Sequence, residues 1–120
     1  MKREELFDTM MVIRTNITND KFRSLFLKRE TKDLDETLKK IKTAVERDVA
    51  GELDTSGKPK YSNADKRAAE VQLRLDNNTI YVDNNNKREI KQKEIEDLEI
   101  QISSNSYMFR AYESFANFKE

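Results

Sequence analysis

The chain has 120 residues, 36% hydrophobic and 38% charged, with 23 basic and 23 acidic side chains, no net charge, and no Cys, His or Trp. Disulfides, thiolate nucleophiles and histidine general bases are therefore excluded. A neutral chain has no general drive toward nucleic acid or anionic lipid, and no apolar run approaches the ~20 residues of a membrane span.

Proline is nearly absent and the apolar residues recur at regular intervals, which favours long amphipathic helices over disorder. The opening MKREELFDTMMVIRTN is too acidic, and its apolar stretch too short, for a signal peptide. Together with the lack of cysteine, this predicts a cytoplasmic protein.

A first arm is predicted over residues 2–53. Leu6, Met10, Ile13 and Ile17 begin a three–four alternation, and Leu27, Leu34, Leu38, Ile41 and Val45 continue it. Asp20, Ser24 and Thr31 are the only polar positions in that series. This is a heptad seam of roughly five and a half repeats. One helix of ~75 Å is expected. The alternative is a break at Thr15–Asp20, where Thr, Asn and Asp are weak helix formers and good caps. Phe22, Leu25 and Phe26 lie off the seam and open a second apolar face.

The chain then turns. Both glycines, Gly51 and Gly57, and the single proline, Pro59, fall within nine positions. Glycine tolerates left-handed backbone and proline cannot continue a helix, so the turn is placed at 54–62. A short helix is predicted over 63–75. Ser62 with Asp65 approximates a capping box, and Asn63 is the rival cap. Residues 76–86 are predicted as a connector, rich in Asn. Ile80-Tyr81-Val82 within it is read as connector or first helical turn, because nothing nearby resembles a pairing strand. The last arm is predicted over 87–118. Its seam is Ile95, Leu98, Ile102, Asn105, Phe109, Tyr112 and Ala116. Asn105 is either a register-fixing polar seam residue or part of a frayed Ser103–Ser106 stretch.

Acidic pairs such as Asp35-Glu36 and Glu96-Asp97 sit among lysines and read as solvated helix faces, not metal or catalytic sites. Gly57-Lys58 lacks the spacing of a phosphate-binding loop. From Lys58 to Arg74 there are five basic residues against two acidic. Lys58, Lys60, Lys66 and Arg67 are thus candidate phosphate contacts, with Tyr61 available to stack on a base. Tyr107, Phe109, Tyr112, Phe115 and Phe118 form the densest aromatic stretch and are the candidate interface. They are expected to be ordered and buried, on Phe22, Leu25, Phe26, Met10 or Met11, or on a second subunit.

The stretch from Asp54 through Gly57-Lys58-Pro59-Lys60-Tyr61-Ser62-Asn63 to Lys66-Arg67-x-Ala69-Glu70 resembles a segment of small helical-hairpin proteins of bacterial phages and integrated mobile elements. The resemblance covers about 20 residues well and the rest in pattern. It implies a mobile-element origin, an intracellular setting and a hairpin fold, and it implies no activity.

The fold expected is all-α: a long antiparallel helical hairpin, coiled-coil-like, in a single domain with a short helix after the turn. Apolar stripes too wide for two helices favour a homo-oligomer. The function expected is a non-enzymatic protein–protein interaction module of a phage or mobile element, inhibiting or recruiting a host or element protein. No cofactor, metal or membrane is indicated. The alternative is an accessory DNA-binding protein that uses the basic turn.

Overall fold

The computed structural model describes residues 2–119, with side chains described for 2–117. It is all-α, a helical hairpin of three helices: α1 (Arg3–Gly51), α2 (Ala64–Asp76) and α3 (Thr79–Lys119). The chain forms two compact units. The first combines the residues up to Glu30 with those from Lys91 onward, and the second is Thr31–Ile90.

Helix α1 is unbroken across Thr15–Asp20. The buried seam residues Ile13 and Ser24 on either side dock the stretch as helix. The hydroxyls of Thr15 and Thr18 donate to the carbonyls of Met11 and Arg14, 2.9 and 3.1 Å away. Hydrogen bonds that compete with a helix elsewhere are here absorbed into it. Glu4 and Glu5 occupy the first turn, where they complement the helix dipole.

The turn is built on Asp54. Its carboxylate accepts from the Ser56 hydroxyl at 2.6 Å, the Ser56 amide at 2.9 Å and the Lys58 amide at 3.0 Å. Those bonds, the Ser56 hydroxyl first, hold the Asp54 carboxyl below the usual carboxylate range. Gly57 sits at φ +85°, a conformation that L side chains resist. Leu53 and Pro59 form an isolated antiparallel bridge across the loop.

Asn63, not Ser62, caps α2. It has extended backbone, and its Oδ1 accepts from the Lys66 amide at 2.8 Å. The connector expected over 76–86 is corrected to two residues, Asn77 and Asn78. Asn77 closes α2 by donating its amide and side chain to the Leu73 carbonyl. Asn78 opens α3 by accepting from the Tyr81 amide at 2.9 Å. Ile80–Asn86 are therefore helical. The cap supplies a start signal that the low helix propensity of three asparagines does not cancel.

In the first unit the seam is as spaced in the sequence. Leu6, Ile13, Ser24 and Leu27 are buried on α1, and Ile95 and Leu98 on α3. Leu27, Ile95 and Leu98 form one core cluster. Ion pairs Lys91–Glu30 at 3.3 Å and Arg23–Glu94 at 3.2 Å give the antiparallel sense, since one number rises as the other falls. These pairs are half-exposed, and such pairs contribute at most about 1 kcal/mol each. A fully buried Leu or Ile contributes about 1.5–3 kcal/mol, so the apolar seam dominates.

In the second unit Val49, Val71 and Leu75 form the core, with Ile41, Val45, Tyr61 and Tyr81 packed around them. Arg74 forks between Glu52 and Glu70. Its hydrogen bond holds the Glu52 carboxyl below its ordinary value, and the two carboxylates raise the guanidinium's own pKa. Arg88 pairs with Asp35.

Candidate protein-interaction surface

The basic turn does not assemble as a base-stacking site. Lys58, Lys60 and Lys66 are exposed. Arg67 is half-buried, and its Nη1 donates to the Tyr61 carbonyl at 3.3 Å. Tyr61 itself packs against the Val49–Val71–Leu75 cluster. The Lys60 ammonium lies 5.6 Å from the centroid of its ring. A base would have to displace core contacts and a cation–π partner to stack there. The turn also holds two ionised carboxylates, Asp54 and Glu52, beside the lysines, which weakens its pull on phosphate.

The C-terminal aromatics divide by helix face. Phe109 and Tyr112 are half-buried on the seam of α3. Tyr107 is 76% exposed and Phe115 44%. Within one chain those two are not buried on the first arm: they lie off the seam, and one helix buries only the seam of its partner, which leaves the second-subunit alternative. The side chain of Phe118 lies outside the described residues. Phe22, Leu25 and Phe26 are also exposed, so they are not the core on which the aromatics rest.

What the exposed aromatics border is a pair of open cavities in the first unit. One, of about 470 Å³, is lined by Leu6, Tyr107, Met108, Ala111, Tyr112 and Phe115. The other, of about 960 Å³, shares Leu6 and Phe115 and adds Phe7 and Met10. Its lining also includes the charged side chains Arg3, Glu4, Asp8 and Glu113. A lining that mixes apolar side chains with charges of both signs suits the stripe of an amphipathic helix. The sequence signal for Phe7 was weak, because it adjoins the seam residue Leu6 without belonging to the seam.

No group of three or more acidic side chains that could hold a metal ion occurs among the described residues. No described helix is long and apolar enough to cross a membrane. Comparisons with family models, with curated proteins and with solved structures gave no match.

Proposed function

We propose that this chain is a non-enzymatic protein–protein interaction module of a phage or mobile element, working in the host cytoplasm. The observation that carries the reading is the apolar surface of the first unit. Tyr107, Phe7 and Met108 stand in water beside the two cavities, and monomeric proteins rarely leave such surface open without a partner. The occupant of the cavities is the apolar stripe of a helix from a host or element protein, which the module inhibits or recruits. The phage setting rests on the resemblance of the Gly57–Asn63 turn.

The test is capture with the tagged chain and a Tyr107→Glu/Phe115→Glu variant. A protein retained by the wild type and lost by the variant, and binding again when both are purified, supports the reading. No variant-sensitive binding of any protein refutes it. The DNA alternative is weaker, because Tyr61 is engaged in the core. Its test is salt: binding through Lys58, Lys60 and Lys66 must fall steeply as salt rises. Absence of binding at low salt removes it.

A further inference from the structure

The outer face of α1, opposite its seam, carries a pattern that the cavities do not explain. Relative to the seam residues Leu6, Ile13 and Leu27, the outermost line of the helix runs Asp8, Thr15, Phe22, Arg29, seven residues apart. Met11, Thr18 and Leu25 flank it on one side, and Val12, Asn19 and Phe26 on the other. Between Asp8 and Arg29 this strip holds no charge, in a chain that is 38% charged. Five of its side chains are large, apolar and exposed, with Phe22 at 69% the most open. The Arg23 guanidinium lies 5.7 Å from the ring centroid of Phe26.

The strip is also complementary to itself when reversed. Turning a second copy end for end about the point between Thr18 and Asn19 sets Asp8 against Arg29 and Thr15 against Phe22 along the centre line. The same operation keeps each flank on its own side, so Met11 meets Leu25 and Val12 meets Phe26. The acidic end of each copy meets the basic end of the other, and every large apolar group meets a hydroxyl or another apolar group. Neither Asp8 nor Arg29 has an ion-pair partner among the described residues. This is the requirement of a two-fold interface: one patch that matches its own reverse.

We infer that the occupant of this face is a second copy of the chain, and that α1 packs antiparallel on its symmetry mate about Thr18–Asn19. The inference rests on the reading of the protein as an interaction module and gives that reading a defined self-contact, which shares Asp8 with the larger cavity and is otherwise distinct from it. The five apolar side chains leave about 500 Å² in water per copy, so a pair buries about 1,000 Å², the low end of specific interfaces. Interfaces of that size include weak and transient ones, and the affinity to be searched is on the order of 1–100 μM.

Sedimentation of the full chain from about 5 to 200 μM reads it directly, across that range of affinity. The wild type should pass from monomer to dimer, and Phe22→Glu should hold it as monomer with an unchanged helical spectrum. The register is tested by charge. Asp8→Arg alone and Arg29→Asp alone should each weaken the dimer about 3- to 10-fold, since each creates like-charge contacts twice over. The combined Asp8→Arg/Arg29→Asp variant should restore it. A wild type monomeric at every concentration overturns the inference, as does a dimer indifferent to Phe22→Glu or a double swap no better than either single change. A dimer lost only in Tyr107→Glu/Phe115→Glu overturns this surface and leaves the interaction-module reading standing. Loss of both self-association and variant-sensitive partner binding removes both.

Discussion

Two leucines of α2, two positions apart, make the sharpest comparison in the molecule. Leu75 is 1% exposed and packs with Val49 and Val71, whereas Leu73 is 55% exposed. Replacing either by alanine deletes the same three carbons. At Leu75 the lost transfer energy is about 2.4 kcal/mol, at ~0.8 kcal/mol per buried carbon. Val49 and Val71 sit on helix backbones that relax only in part, so a cavity remains and raises the loss to about 3–4 kcal/mol. At Leu73 less than half of the side chain leaves water on folding. The loss there is about 1 kcal/mol, reduced by a few tenths because alanine is the better helix former. Urea unfolding followed by circular dichroism at matched low protein concentration separates the two through their midpoints, provided the slopes agree. Equal losses, or a loss at Leu75 below about 1.5 kcal/mol, would mean that α2 does not dock on α1 through this face.

Thr31 is buried, and its hydroxyl has no hydrogen-bond partner among the described residues, so Thr31→Val should raise stability by about 1 kcal/mol in the same assay. The two glycines should respond oppositely. Gly51 is helical with open space around its Cβ position, so Gly51→Ala should stabilise by about 0.4–1 kcal/mol; Gly57→Ala should destabilise by about 1–2 kcal/mol, because open space does not relieve φ +85°. Asp54 has a lowered folded-state pKa, so its contribution is present above its ordinary value of 3.8 and is lost as pH falls through the folded value. Asp54→Asn should therefore separate from the wild type in thermal melts at pH 7, and the gap should close below pH 3.8.

The seams were legible because burial between two helices imposes a three–four spacing that composition cannot hide. The positions filled by Ser24 and Thr31 are buried despite their polarity. The same rule, run backward from Ile95, reaches Lys91, Arg88, Asn84 and Tyr81, all half-buried in α3. That part of the seam was not legible. Hydrophobic periodicity is silent where the seam is polar, and only the partners Glu30 and Asp35 on α1 reveal why Lys91 and Arg88 lie there. Of the two readings of Ile80-Tyr81-Val82, connector or first helical turn, the structure shows the helical turn, because Asn78 acts as a cap. Of the surface, the exposed apolar residues were visible in the sequence as off-seam positions. Their number suggested burial, and only the geometry of a two-helix contact leaves Tyr107 and Phe22 in water.

The ion pairs also set an order in time. Glu52 and Arg74 are 22 residues apart, Asp35 and Arg88 are 53, and Arg23 and Glu94 are 71. Closing a loop loses chain entropy in proportion to the logarithm of its length, so a doubling adds only about 0.6 kcal/mol. The first closure is then the expensive one, and the shortest loop is the one around Asp54. Once α2 meets the end of α1, each pair farther from the turn extends an already closed structure, by 31 residues to Asp35–Arg88 and 18 more to Arg23–Glu94, instead of searching across the whole chain. Folding should therefore nucleate at the turn and reach the first unit, where Leu27 packs, later. In stopped-flow kinetics Leu75→Ala should slow folding, while Leu27→Ala should leave the folding rate nearly unchanged and accelerate unfolding. The reverse pattern would place the nucleus in the first unit, with the turn forming afterward.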